Sequence, residues 1–213
     1  MLNRQKRMVV LILLSVIAAA GLPWVVGAQC PPPPASSPLA EGEVGVFFDP
    51  LGTQNCADIV VGVPTPLYVV VRVPEGGVAE FAIPELDWDA LPPGLTVLGP
   101  AGLPPGGLYD ILIVIDGCGQ ARRKDPESCP VTRGDLLVIS IIQVMAVVPV
   151  RDTACFKTVC PTIAGTVVGP PVYSRCDTGA WGEFKGWDGM CVGFGQEVPV
   201  ESSTWGAVKA LYQ

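Results

Sequence analysis

Beyond residue 42 the chain reads as short apolar runs separated by proline and glycine. Residues 44–49 (VGVFFD) form one run, closed by Asp49-Pro50 and Leu51-Gly52. Residues 67–73 (LYVVVRV) follow Pro64 and Pro66 and stop at Pro74. In 77–83 (GVAEFAI), Val78, Phe81 and Ile83 are apolar and Glu80 is polar. Further runs occupy 95–98, 108–115 (LYDILIVI), 162–168 and 172–174. The longest, 135–148 (DLLVISIIQVMAVV), is also among the most apolar. Runs rich in β-branched and aromatic residues and bounded by Pro or Gly predict strands. The 135–148 run has the length of a helix, but its Val and Ile content predicts a strand, bent or bulged.

No helical pattern lies between these runs, and parallel strands need long crossovers that are normally helical. The pattern therefore predicts antiparallel pairing closed into two packed sheets, an all-β, antiparallel β-sandwich. The succession of an apolar strand, a Gly-Val-x-x-Phe strand, an Asp-rich loop, a strand and a Gly-Asp-Leu-Leu strand is carried by 67–73, 77–83, 86–91, 108–115 and 134–142. It resembles extracellular sandwiches of the cohesin and cellulose-binding-module type, with a jelly-roll-like arrangement as the related possibility. That resemblance implies a binding module whose sheet face receives a partner, and it assigns no recognition residue. The cysteine-rich segment 155–191 departs from it.

The first 28 residues read as a secretory signal. Asn3-Arg4-Gln5-Lys6-Arg7 is basic, 8–20 is uncharged and apolar, and Val26-Gly27-Ala28 offers small residues for cleavage before Gln29. Two rivals are an uncleaved anchor over the 21 residues 8–28 and a lipoprotein site at Cys30. Gly21, Pro23 and Gly27 oppose the first, and Gln29 opposes the second. Pro31-Pro32-Pro33-Pro34 opens a stiff spacer. The expected division is a signal over 1–28, a Pro-rich linker over 29–41, the β-domain with its disulfide-rich extension over 42–197, and a tail over 198–213. In that tail Trp205, Val208, Leu211 and Tyr212 share one face of a short amphipathic helix, predicted to dock on something. The tail also resembles the ends of other exported bacterial proteins.

Charge and cysteine content sharpen the picture. Without residues 1–28, ten cations face twenty acids, a net charge of −10. Such a balance repels nucleic acid and anionic membranes, leaving the signal segment, if uncleaved, as the route to a bilayer. All eight cysteines (Cys30, Cys56, Cys118, Cys129, Cys155, Cys160, Cys176 and Cys191) follow the cleavage site, and no CxxC pair occurs. An even count in an exported chain predicts disulfides. Local closure costs the least chain entropy, so Cys118 with Cys129, Cys155 with Cys160, Cys176 with Cys191 and Cys30 with Cys56 are the expected pairs.

Candidate chemistry is sparse. The chain contains no His, which removes Ser-His, Cys-His and His-metal mechanisms. Trp181, Phe184 and Trp187 recur every third residue in a glycine-rich loop, a pattern suited to stacking on sugars or burial in a protein partner, or alternatively to capping the sandwich end. Glu85, Asp87 and Asp89 surround Trp88, where they serve as solvated loop acids, a calcium loop or half of a glycosidase pair. No Asp-x-Asp-x-Asp-Gly loop occurs. Arg122-Arg123-Lys124 reads as a basic turn. The expectation is a secreted or cell-surface, non-enzymatic module without cofactor or metal, binding a glycan or another extracellular protein. Its rivals are a carboxylate-based glycan-active enzyme and a subunit that assembles by strand addition or through the C-terminal helix.

Overall fold

The computed structural model describes residues 37–99, 101–112, 118–162 and 165–195. Their regular secondary structure is nearly all strand, with a single 3-10 turn, and the strands are numbered here in chain order. One sheet has four strands in the order β1 (Val44–Phe47), β3 (Thr65–Arg72), β9 (Leu136–Ala146) and β6 (Leu95–Val97). A five-stranded sheet runs β14 (Trp181–Glu183), β13 (Val172–Ser174), β4 (Glu80–Ile83), β8 (Gly119–Arg123) and β7 (Tyr109–Leu112). Two three-stranded sheets comprise β10 (Asp152–Phe156), β15 (Met190–Phe194) and β2 (Cys56–Ala57), and β12 (Gly165–Val168), β11 (Thr158–Thr162) and β5 (Glu85–Leu86). The expected leader, the 29–36 part of the linker and the tail helix with Trp205, Val208, Leu211 and Tyr212 lie outside the described residues. Among those described, no helix is long and apolar enough to cross a membrane.

Antiparallel pairing holds for every described strand pair but one. β2 runs parallel to β15, with Cys56 beside Gly193 and Ala57 beside Phe194. A Cβ on Gly193 would lie 2.7 Å from Cys56 Sγ, so the close approach requires glycine there.

The longest apolar run is a strand with a bulge, as its composition predicts. Val69 pairs with Ser140 and Val70 with Val138, so Ile139 is the extra residue of β9. On one side of this step Leu137 and Ile139 are buried, and on the other Ile142, Val144 and Ala146. The inserted residue changes the phase of the alternation, and both halves of the strand keep their apolar side chains in the core. The same cluster draws Val44 and Val46 from β1, Leu67, Val69 and Val71 from β3, Phe81 from β4, Tyr109 from β7 and Phe156 from β10. At about 25 cal/mol per Å² of buried apolar surface, these side chains are the main favourable contribution to folding.

Ahead of the expected boundary at 42, the chain is already engaged with the sheet. Arg72 donates from Nε to Leu39 O at 2.7 Å, from one terminal nitrogen to Gly134 O at 3.0 Å and from the other to Ser37 O at 3.2 Å. A planar fork with five donors meets three carbonyls at once, an arrangement that lysine has no geometry to reproduce.

The disulfides overturn the local pairing scheme. Cys118 joins Cys160, Cys129 joins Cys176 and Cys155 joins Cys191, across separations of 42, 47 and 36 residues. None of the predicted pairs Cys118 with Cys129, Cys155 with Cys160 or Cys176 with Cys191 exists. Cys56 is also disulfide-bonded, and its expected partner Cys30 lies outside the described residues. The preference for short loops is worth only about 1–2 kcal/mol at these lengths. Sheet register outweighs it, because Cys155 and Cys191 are direct cross-strand neighbours in the β10–β15 ladder. Three intramolecular disulfides indicate an oxidising, extracellular-type environment.

Candidate functional site

β5 leads directly into a single 3-10 turn, Trp88–Ala90. Asp87 caps this turn, its carboxylate accepting the Asp89 N–H at 3.1 Å, and the Leu91 N–H closes it on Trp88 O at 3.0 Å. β5 is fixed from the other side by β11, with Leu86 opposite Thr158 and Glu85 opposite Val159. Leu86 is fully buried. Side chains alternate along an extended segment, so Glu85 and Asp87 stand together on the outward face. Trp88 is half-buried, its ring edge-on to that of Phe156 with centroids 6.3 Å apart. The outcome is a cavity of about 350 Å³ lined by Glu85, Leu86, Asp87, Trp88, Asp89, Val159 and Val168.

Thus the three acids singled out around Trp88 do converge, and strands more than 70 residues further along supply the apolar wall. Val159 and Val168 carry no sequence signal that would place them there, because only the β5–β11–β12 pairing brings them across. Chemically the cleft offers carboxylate acceptors beside an aromatic ring and aliphatic surface. Among the described residues no group of three or more His, Cys, Asp or Glu is placed to hold a metal ion.

The aromatic trio is separated by the fold. Trp181, at 56% exposure, stands on the edge strand β14, whereas Phe184 is 1% exposed. Phe184 stacks on Tyr173 at 4.5 Å between ring centroids, which corrects its assignment as a ligand-binding residue: the ring is part of the core. Trp187 is partly buried against the same core. Positions 181–183 of the segment form a strand, and the same alternation continued by one residue sends position 181 outward and 184 inward. Tyr173 lies over Gly182, where a Cβ would stand 2.9 Å from its ring, so glycine admits the ring that Phe184 stacks on.

The basic trio is likewise no hairpin tip. Arg122 and Arg123 belong to β8; Arg122 pairs with Glu80 at 3.0 Å, and Arg123 donates to Ser128 O at 2.8 Å. Lys124 donates to Gly107 O at 2.7 Å. These partners already engage the cations that an anion would need. A second cavity, of about 380 Å³, borders the Cys129–Cys176 disulfide and contains Arg123, Arg133, Glu127 and Asp177. Its charges are matched locally: Arg133 meets Glu41 at 2.8 Å, and Arg175 holds Asp177 below the usual carboxylate range by a hydrogen-bonded pair at 2.7 Å.

Comparison with protein-family models, curated proteins and solved structures gives no match for this chain.

Proposed function

We propose that the chain is a secreted, non-enzymatic extracellular module that binds a neutral glycan in the Trp88 cleft. The observation that carries this reading is the convergence of Glu85, Asp87 and Asp89 on one half-buried tryptophan in a single cavity. An aromatic ring accepts the apolar C–H face of a sugar, while carboxylates take hydrogen bonds from its hydroxyls. Three acids in one lining repel anionic ligands, which selects against uronic acids and sulfated chains. In this reading the four- and five-stranded sheets are the layers of a cohesin-like sandwich, supported by the apolar cluster they share. Residues 1–28 are removed on export.

Fluorescence titration of the full chain with neutral and uronic-acid oligosaccharides tests the proposal. Binding of a neutral oligosaccharide should quench tryptophan emission, Trp88→Ala should weaken it by about tenfold or more, and Trp181→Ala should leave it unchanged. The absence of any neutral-glycan binding, or indifference to Trp88→Ala in a folded protein, would reject it. Because the same acids suit the rival glycan-active enzyme, reducing-end release is measured alongside, and release abolished by Asp87→Asn would favour that rival.

A further inference from the structure

Among the stretches of this acidic chain that contain no Asp, Glu, Lys or Arg are 59–71, 90–109 and 136–150. The fold lays them side by side, since β3, β9 and β6 are neighbours. Their shared end lies at Ala146. There the turn at 60–63 closes through Val63 N–H to Val60 O at 3.1 Å and joins β9 through Gly62 N–H to Ala146 O at 2.8 Å. On the other side Val147 N–H donates to Gly94 O at 2.8 Å, and Leu95 stands opposite Ala146. This charge-free region presents Val60, Val61, Val63, Leu98, Val147 and Val148, each 44–63% exposed. Apolar groups of this number gathered at one place mark an interaction surface rather than scattered exposure.

The region also contains an open strand edge. Val147 N–H donates to Gly94 O and Leu98 N–H to Gln143 O at 2.9 Å, so positions 94 and 98 face β9. Alternation then turns the backbone of Leu95 and Val97 to the opposite side. The Leu95 N–H is taken by Pro92 O at 3.1 Å, which leaves the Val97 N–H and C=O directed at the edge. Among the described residues β9 is the only strand beside β6. Exposed edges are normally guarded by lysine, proline or an inward charge, and Leu95-Thr96-Val97 has none of these.

We propose that this end of the molecule binds a second copy of the same chain, β6 antiparallel to β6 about a twofold axis, joining the two four-stranded sheets edge to edge. Charge argues for that occupant. Each copy has a net charge of −10 after residue 28, so approach through any acidic face is repulsive, whereas the charge-free end keeps the acids of both copies apart. Repulsion beyond about 10 Å is screened at moderate salt, so association should strengthen as salt rises, the opposite of a contact with a basic partner. A bilayer is the poorer occupant, because these segments place no lysine or arginine beside the valines, and the exposed aliphatic set contains no tryptophan.

Sedimentation equilibrium on the full chain, exported to an oxidising compartment, decides the matter. The expected result is a dimer whose dissociation constant falls between low and high sodium chloride. Val61→Glu with Val148→Glu should give a monomer, and Val97→Pro, which removes the outward N–H without touching the β9 ladder, should weaken the dimer by about tenfold or more. Leu51→Glu, at an exposed site on a different loop, should change nothing, and circular dichroism verifies folding of each variant. A wild-type monomer at the highest attainable concentration overturns the proposal. So does a dimer indifferent to Val97→Pro and to the glutamate pair, or a monomer that instead floats with neutral phosphatidylcholine vesicles.

Discussion

Cys155 and Cys191 face each other across the β10–β15 ladder, their Cα atoms 3.9 Å apart. This cross-link ties a strand that contacts the Trp88 turn to the one carrying Met190, Val192 and Phe194 into the core. It closes a loop of 36 residues, which in the chain-entropy account stabilises the fold by about 4 kcal/mol. The Cys155→Ser, Cys191→Ser double variant should therefore lower urea stability by about 2–4 kcal/mol. Peptide mapping without reduction should recover Cys118–Cys160, Cys129–Cys176 and Cys155–Cys191. A variant as stable as the parent, or locally paired peptides, would contradict the register.

Ser140 sits beside the β9 bulge, fully buried, with a hydroxyl that has no hydrogen-bond partner among the described residues. Burying an unpaired hydroxyl costs about 1–3 kcal/mol, whereas alanine removes that cost and leaves a void of only one oxygen. Ser140→Ala should leave the thermal midpoint unchanged or raise it by a few degrees. A clear drop in calorimetry would mean that the hydroxyl is bonded after all.

Tyr109 donates its hydroxyl to Val78 O at 2.7 Å inside the core. Burial pushes its phenol well above the ordinary value, with the Arg123 charge opposing only in part. Below about pH 10 neither folded nor unfolded chain ionises here, and the native state keeps its full stability. As pH rises further the unfolded chain loses this proton first, so it binds fewer protons than the native state and stability falls. Tyr109→Phe should cost about 1 kcal/mol at neutral pH, and its deficit against the parent should shrink as pH rises above about 10. A deficit constant with pH, measured by urea titration, would show that the phenol ionises equally in both states.

Much of the fold was legible along the chain, for reasons tied to particular strands. β1, β3, β6 and β9 appear where apolar, mostly β-branched runs end at proline or glycine, and β13 where one starts after Pro170-Pro171. The bulge was anticipated from the length and the Val and Ile content of 135–148, but its place was not, because Leu136, Val138, Ile141 and Met145 are as apolar as the buried Leu137, Ile139, Ile142 and Val144. Among the strands missed were β8, β10, β11 and β15. Each is short and carries cysteine or polar residues, and each pairs with a strand distant in sequence, β8 and β11 having a hairpin neighbour as well. Phe184 and Trp181 look alike in sequence, yet only strand alternation tells the core ring from the exposed one.

The division is physical. Local composition determined what can be settled within a few residues: that strands dominate, where they turn, that acids surround Trp88 and that the cysteines cross-link. Register decided the rest. It chose which cysteines meet, set Val159 and Val168 against the acids of β5, and drew three uncharged stretches to one end of a sheet. Those outcomes depend on contacts between residues tens of positions apart, whose closure entropy varies too weakly with distance for spacing alone to rank them.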